Sequence, residues 1–234
     1  RLFEIIHDFV FPVAVVFLIF DSLGGLVHHI NPTDRDELLI KIDYYLFGIH
    51  PTVWLEGISR PWLTDILQAA YSTYYFLPII YGIFLKLHNK RGELELSLFL
   101  IIFCFYLSFI GYILFPAIGP RFTLDHLQNT PYKTMGGIFL AEFIRNTIDA
   151  VEGIKRDAFP SGHSAVALVV LYLCYRFEKG LFLVYIPVIA GLLFSTVYLR
   201  YHYVVDVIAG ILLTIVTIYF GERLYKRWER FRGD

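Results

Sequence analysis

The stretch FPSGHSAVALVVLYLCYRFEKGLFLVYIPVIAGLLFSTVYLRYHYVVDVIAGILLTIVTIYFG, residues 159–221, decides the fold because it contains three long apolar runs with only short polar breaks between them. The runs cover residues 162–178, 180–199 and 203–221. The hydrocarbon core of a bilayer is about 30 Å thick, and a helix needs about 20 apolar residues to cross it. We therefore expect three consecutive transmembrane helices with tight connections.

Three earlier apolar runs, at 9–29, 62–85 and 95–116, extend this pattern. The chain is 57% hydrophobic and 18% aromatic, with a mean hydropathy of +0.59, whereas soluble domains are about 45–50% apolar. The sequence therefore predicts an all-α polytopic membrane protein with six transmembrane helices, built as a single membrane-embedded domain over residues 1–234. The N-terminus lacks the small-residue cleavage site of a signal peptide, so we expect the first run to remain as a span.

Charge and cysteine content argue against two other kinds of protein. The formal net charge is −1, whereas binding to a nucleic acid backbone depends on many lysine and arginine contacts. We therefore expect no nucleic acid partner. Cys104 and Cys174 lie inside apolar runs, where we expect buried free thiols and neither a disulfide framework nor a cysteine metal site.

Basic residues collect on one side of the predicted bundle, near 86–91 and 176–179 and in the tail at 222–234. The positive-inside rule assigns that side to the cytoplasm. With six spans, both termini share it, and the long loops at 30–61 and 117–161 face outward. We expect an integral protein of a bacterial inner membrane whose active side faces the periplasm.

Each long loop contains a segment with helical hydrophobic spacing, at 36–49 and 137–154. We predict two amphipathic extracytoplasmic loop helices, which either pack over the outer end of the bundle or gate the entry of a substrate. Aromatic residues near the predicted membrane edge are typical of an interfacial belt. They are Trp54, Trp62, Tyr71, Tyr74 and Tyr75.

His202 stands at the opening of the last apolar run, and Asp206 follows it one helical turn later. Residues four apart share a helix face, so the carboxylate can accept a hydrogen bond from Nδ1–H and leave Nε2 with a lone pair directed away. This is the arrangement of an oriented nucleophile or base. The alternative is an ordinary His–Asp pair on a helix surface.

His163 lies in the turn FPSGH at the opening of another apolar run. The predicted topology brings it to the same membrane surface as His202, although the two are far apart in sequence. An imidazole with a pKa near 6.5 can give a proton to a departing oxygen at neutral pH. The alternative is a histidine that caps or packs the helix.

Several cations converge on this surface, where ionisable groups are costly unless they line a wet cavity or pair. Such a cluster suits phosphate, because the guanidinium fork binds phosphate oxygens through paired hydrogen bonds, and a helix N-terminus adds free N–H groups. The candidate phosphate ligands are Arg121, Arg200, Ser161, Gly162, Lys155 and Arg156. For Lys155 and Arg156, the alternative is a pair of solvated loop charges.

Two motifs resemble those of the type 2 phosphatidic acid phosphatase superfamily, which is related in its active site to vanadium haloperoxidases. FPSGH at 159–163 matches the second motif of that family, and His202-x-x-x-Asp206 with Ala209-Gly210 matches the end of the third. The resemblance implies that His202 attacks phosphorus and forms a phosphohistidine, that Asp206 orients it, and that His163 protonates the leaving oxygen. It also implies that no metal or other cofactor takes part.

The chain departs from the family pattern in the other motif positions. The third motif begins Ser-Arg in the family, but here it reads Ser195-Thr196, and an arginine occurs instead at Arg200. The lysine of the first motif is replaced by Leu114, and Gly119-Pro120-Arg121 reverses the usual Arg-Pro order. FPAIGPRF together with YLRYHYVVDV is similar to the branch that includes inositol phosphorylceramide synthases.

The sequence thus predicts a metal-independent lipid phosphate phosphatase that hydrolyses a lipid phosphomonoester or diphosphate at the outer leaflet. A phosphotransferase that passes the group to a second alcohol is the nearest alternative, because both share the first step. A non-catalytic lipid transporter or binder is a further alternative, which the absence of inverted repeats disfavours. The identity of the lipid and the oligomeric state are left open.

Overall fold

A computed structural model describes residues 6–132, 135–151 and 156–232, and within these ranges the protein is helical, with no β-strand. The main helices, in chain order, are α1 Phe11–Ile30, α2 Asp36–Phe47, α3 Pro61–Ser72, α4 Leu77–Leu87, α5 Arg91–Leu114, α6 Ala141–Val151, α7 Gly162–Phe177, α8 Lys179–Tyr198 and α9 Val204–Arg232. A π-helical turn at Ile6–Val10 precedes α1. The prediction of an all-α membrane protein is confirmed at this level.

Four of these helical segments in the described chain are long and apolar enough to cross a bilayer. They are Ile6–Ile30, α5, α8 and the part of α9 from Val204 to Phe231. The predicted span at 162–178 is helix α7, which has only 16 residues. Four of the six predicted spans are therefore single helices that are long and apolar enough to cross the bilayer.

The predicted span at 62–85 is not one helix but two. A 3₁₀ turn at Thr73–Tyr75 separates α3 from α4, and Pro78 occupies the first turn of α4. Proline has no N–H to donate and its ring clashes with the carbonyl of the residue four positions earlier, so a continuous helix breaks just before it. This break directs the residues of the turn toward the interior of the bundle, where α7 begins.

Helix α7 forms the centre of the bundle and packs against α4, α5, α8 and α9. Its consecutive side chains Ala165, Val166 and Ala167 are all buried, and consecutive residues lie on different sides of a helix. A helix that is apolar all round is stable only when neighbours surround it. The short α7 is thus held by its neighbours, and its N-terminus lies at one end of the bundle core.

The two segments with helical spacing in the long loops are helical over Asp36–Phe47 and Ala141–Val151. Asp43 of α2 accepts hydrogen bonds from the backbone N–H groups of Val204 and Val205, at 2.9 and 2.8 Å. The first N–H groups of a helix have no partner within the helix. Helix α2 therefore caps α9 and fixes the level at which α9 begins.

Asp65 of α3 does the same for α6. Its carboxylate accepts hydrogen bonds from four consecutive N–H groups, at Ile138, Phe139, Leu140 and Ala141. Four acceptor contacts at the positive end of a helix are favourable for a carboxylate. This contact ties the second long loop to the bundle near the start of α3.

Candidate active site

The two histidines predicted to meet are in contact. His163 lies in the first turn of α7, and His202 lies in the short connection between α8 and α9. Nε2 of His202 is 3.3 Å from Nδ1 of His163. Both side chains are buried, with 9% of His163 and 3% of His202 exposed. The pair is therefore shielded from bulk water.

The carbonyl of Ala158 fixes the tautomer of His202. Nδ1 of His202 lies 2.8 Å from the Ala158 oxygen, and because a carbonyl can only accept, Nδ1 carries the proton. Nε2 then has the lone pair, and Nδ1 of His163 must supply the proton in the contact between the rings. The geometry thus leaves Nε2 of His202 unprotonated, with its lone pair accepting a hydrogen bond from Nδ1 of His163.

Asp206 is less closely involved than the motif suggested. Its Oδ2 is 3.5 Å from Nδ1 of His202 and accepts a 2.8 Å hydrogen bond from the backbone N–H of Tyr203. The carboxylate therefore caps the start of α9, and its contact with His202 is the longer of the two. The hydrogen-bond partner that sequence reasoning missed is the Ala158 carbonyl, because a backbone group leaves no signal in the sequence.

The turn that carries Ala158 is held from both sides. The N–H of Ala158 donates to the carbonyl of Ala117 at 3.1 Å, and the N–H of Ser161 donates to the carbonyl of Asp206 at 3.0 Å. These bonds join the start of α7 to the end of α5 and to α9. These backbone hydrogen bonds fix the position of the Ala158 carbonyl, which binds His202.

Ser161 and Gly162 form the start of α7, as predicted. The Ser161 side chain accepts a hydrogen bond from the N–H of Ser164 and so caps the helix. A Cβ atom on Gly162 would lie 2.3 Å from the hydroxyl of Tyr112. Only glycine therefore allows Tyr112 of α5 to approach the first turn beside His163.

Arg121 lies close to the histidines and is buried. Its guanidinium stacks over the rings of Phe122 and Tyr201, at 4.9 and 5.0 Å from the ring centroids, and its charge acts on His202. The preceding Gly119 has φ +88°, and a Cβ there would lie 2.7 Å from the carbonyl oxygen of Tyr201. The Gly-Pro-Arg element thus places a cation against the His202 loop.

The guanidinium of Arg200 is directed into the loops. It lies 2.7 Å from the carbonyl of Thr130, 3.5 Å from Asp125 and 3.8 Å from Glu56. Its own carbonyl accepts the N–H of Arg121 at 2.9 Å. The structure gives Arg200 a clamping position between the two long loops, and its role as a phosphate ligand stays a prediction.

Arg156 is also engaged with the first long loop. Its Nε is 3.0 Å from Asp34, and its Nη2 donates to the carbonyl of Pro32 at 3.1 Å. A phosphate role for Arg156 stays a prediction. Lys155, the other loop cation singled out in the sequence, lies outside the described residues.

Three tyrosines surround His163, although the sequence pattern placed them in an interfacial belt. The ring centroids of Tyr71, Tyr74 and Tyr75 lie 4.7, 4.2 and 6.5 Å from that of His163. Tyr71 is only 1% exposed, whereas a belt residue contacts lipid. The belt interpretation is therefore wrong for Tyr71. Pro78 was the signal that could have predicted the inward turn.

Asp157 is a site residue that sequence reasoning missed. It is half-buried, directly precedes Ala158 and lines the same cavity as His163. Partial removal from water raises the pKa of Asp157, while the charges of Arg121 and His202 act against that rise. These interactions place the Asp157 carboxylate within electrostatic reach of both groups.

Burial lowers the pKa of His202 to about 4, because an imidazolium is poorly solvated there. The positive charge of Arg121 acts in the same direction, whereas Asp157 and the Ala158 carbonyl oppose it. The ring is therefore neutral at pH 7. A neutral ring with an unprotonated Nε2 is the form that can attack an electrophile.

Comparisons with known proteins identify the family of this chain. A sequence model of the PAP2 superfamily matches residues 38–220, which include both histidines and begin after α1. The chain is 28% identical over 177 residues to a PA-phosphatase related-family protein of Dictyostelium discoideum, covering 68% of this chain and 32% of that protein.

Two further relatives are named as synthases. The chain is 27% identical over 226 residues to the phosphoinositol dihydroceramide synthase of Bacteroides thetaiotaomicron, covering 88% of this chain and 73% of that protein. It is 33% identical over 126 residues to the inositol phosphorylceramide synthase catalytic subunit of Saccharomyces cerevisiae, covering 47% and 31%. The chain thus spans under a third of the yeast and Dictyostelium proteins. No solved structure matches the chain.

The pKa of His202 provides a direct test of this geometry. In detergent-solubilised protein with isotope-labelled histidine, the NMR titration of His202 is expected to have its midpoint near pH 4. The resonance is assigned by its loss in His202→Asn. A midpoint near the ordinary value of about 6.5 would show that the ring is solvated and would contradict the buried pair.

Proposed function

Because the chain belongs to the PAP2 superfamily, on the branch of the inositol phosphorylceramide synthases, we propose that it cleaves a lipid phosphate ester or anhydride through a phosphohistidine at His202. The resemblance inferred from the FPSGH and His-x-x-x-Asp motifs is confirmed, and the family contains lipid phosphatases and phosphotransferases. The observation that carries the proposal is the 3.3 Å contact between the two buried rings, with the Nδ1 proton of His202 held by Ala158.

In the first step, Nε2 of His202 attacks phosphorus, and the bond from phosphorus to the lipid oxygen breaks. For this step His163 is the imidazolium, protonated on both ring nitrogens beside the bound phosphate anion. It gives its Nδ1 proton to the departing oxygen and becomes neutral, so the lipid leaves as a neutral alcohol or as a phosphate with one fewer phosphoryl group. The phosphoryl group takes the place of the present contact between the rings. Positioning and charge stabilisation are the main sources of rate in such transfers.

In the second step, a water molecule attacks the phosphohistidine, and His163, now without its proton, accepts one from that water. The N–P bond breaks, and inorganic phosphate leaves with His202 restored to its neutral form. The Nε2 atom of His163 is buried without a hydrogen-bond partner among the described residues. Substrate or water can therefore supply a partner for that atom.

We assign the phosphate oxygens to Arg121 and to the N–H groups at the start of α7, with Ser161 as the cap that shapes this turn. Arg200 and Arg156 would reach phosphate only by leaving Thr130, Asp125 and Asp34. Their present contacts favour a role in holding the two loops over the site. These cations supply the charge stabilisation, so we propose that no metal takes part.

The covalent intermediate can be trapped. After rapid quenching with radiolabelled phosphatidic acid in EDTA-containing buffer, we expect an acid-labile, base-stable label on His202. His202→Asn removes the nucleophile and is expected to lower kcat by at least about a thousandfold and abolish the label. His88→Asn, at an exposed histidine outside the site, is the matched control and keeps both. A fully active enzyme that never carries label would indicate direct attack by water.

A phosphotransferase is the second candidate, favoured by the two relatives named as synthases. In that reaction, a second alcohol replaces water in the second step, and His163 accepts the proton of that alcohol. The first step is unchanged, so the site geometry serves both reactions.

The products distinguish the two reactions. With purified protein, phosphatidic acid and excess glycerol as acceptor, a hydrolase is expected to release inorganic phosphate in proportion to the lipid consumed. Phosphate transferred to the acceptor, with release of free phosphate falling to the same extent, would overturn the hydrolase assignment and support the transferase. His202→Asn is expected to abolish both products.

We also propose the predicted topology, with both termini in the cytoplasm and the site facing outward, in a bacterial inner membrane. The histidines and both loop helices lie at the start of α7 and α9, opposite the basic connection between α4 and α5. Asn89 lies in that connection, and Lys41 is exposed on α2. In intact cells, a membrane-impermeant thiol reagent is expected to label Lys41→Cys and spare Asn89→Cys. The reverse pattern would invert the topology.

A further inference from the structure

An apolar cleft runs from the histidines along the inner side of α1. It encloses about 180 Å³, and its lining is almost entirely hydrocarbon. At one end it is lined by His163, Asp157 and Tyr112, and at the other by Asp8 and Phe9. The cleft is thus continuous with the candidate active site and leads away from it into the depth of the membrane.

The far end of the cleft is closed by charge and by one aromatic ring. Asp8 is 2% exposed and pairs with Lys86 at 2.9 Å and with Arg91 at 2.5 Å. The Phe9 ring packs against Gly82, where a Cβ would lie 2.9 Å from it. A hydrocarbon chain in the cleft would end at these charged residues. Insertion of an apolar group that disrupts a buried ion pair is strongly disfavoured.

The length of the cleft is set by helix α1 and the turn before it. Phe9 and Phe20 both line it and are 11 positions apart, which corresponds to about 16 Å at the helical rise of 1.5 Å per residue. This is roughly half of the 30 Å hydrocarbon core. The cleft therefore accommodates one extended chain along α1, but not a chain that crosses the whole membrane.

The wall formed by α1 is loosely attached to the rest of the bundle. Only 11% of the apolar window of Ile6–Ile30 is buried, compared with 33% to 39% for the other three candidate spans. A span with so little contact can separate from α5 at small cost. A lipid chain can therefore enter sideways from the bilayer, which a closed cavity would not permit.

We propose that this cleft holds one hydrocarbon chain of the lipid whose phosphate lies at the histidines, and that Phe9 and the Asp8 cluster limit the length of that chain. This inference rests on the proposed function. Because lipid tails are as apolar as the cleft, the binding of the chain selects among lipids more than it adds affinity. The substrate class is a lipid phosphate with a chain of limited length.

The first test narrows the cleft in its middle. Val16 lines it, whereas Leu18, two residues away, is 68% exposed and faces lipid. With butyl, dodecyl and hexadecyl phosphate as substrates, Val16→Trp is expected to lower kcat/KM for the long chains about tenfold and for butyl phosphate less than about twofold. Leu18→Trp is the matched control and leaves all three values unchanged. An equal effect of Val16→Trp on all three substrates would overturn the proposal.

The second test opens the far end. Phe9→Ala removes the ring that closes the cleft, and Phe11→Ala, at a residue that is 63% exposed, is the matched control. Phe9→Ala is expected to raise the ratio of kcat/KM for hexadecyl phosphate to that for dodecyl phosphate about tenfold, with no change in Phe11→Ala. An unchanged ratio in Phe9→Ala would show that the far end of the cleft does not limit the length of the chain.

A binding readout separates this inference from the proposed chemistry. A dodecyl phosphate that carries a photoreactive group at the tail end is expected to crosslink to α1 or α5 near Phe9, and to do so equally in His202→Asn. Crosslinks between α8 and α9 instead would overturn the cleft assignment, even if turnover is normal. If the protein turns over no phosphate substrate but is crosslinked in the cleft, the cleft remains assigned as the binding site of the chain, and the proposed function is refuted.

Discussion

The hydrogen bond from Nδ1 of His202 to the carbonyl of Ala158 is the interaction on which the candidate site depends. It joins the loop before α9 to the turn before α7, and it sets the tautomer that gives Nε2 its lone pair. The same turn is anchored by Ala117 and by the carbonyl of Asp206. Any movement of α7 relative to α9 would therefore change both the protonation pattern and the contact with His163.

A second constraint is the need to satisfy backbone groups where helices begin at a membrane surface. An N–H without a partner is costly in an apolar environment, and here carboxylates solve the problem. Asp43 and Asp206 accept N–H groups at the start of α9, and Asp36 accepts those of Ile118 and Gly119. The negative charges that accumulate around the site are thus largely structural, and they hold the Gly-Pro-Arg element and the His202 loop at fixed positions.

The sequence was sufficient for the apolar helices and for the meeting of His163 and His202, because spacing and the FPSGH turn carry that information locally. It was not sufficient where a contact joins distant segments. The division of 62–85 turned Tyr71 and Tyr74 toward His163, the Ala158 carbonyl took the place expected for Asp206, and Arg200 bound the loops instead of facing the histidines. Each outcome depends on which backbone groups lie nearby after folding. Such contacts cannot be predicted from the charge or the hydrophobic periodicity of the sequence.

In the proposals made for this protein, the chemistry and the recognition of the lipid belong to different parts of the structure. Both histidines lie on tightly packed segments around α7, inside the region shared with the family, whereas one wall of the cleft is α1, which precedes that region and is loosely packed. A phosphate site requires atoms fixed to within a fraction of an ångström, so it needs a rigid core. A hydrocarbon chain makes no directional contacts, so a loosely packed helix can hold it. On these proposals, a change in the first helix would alter the choice of lipid without altering the reaction, which explains why the motifs around the histidines do not identify the substrate.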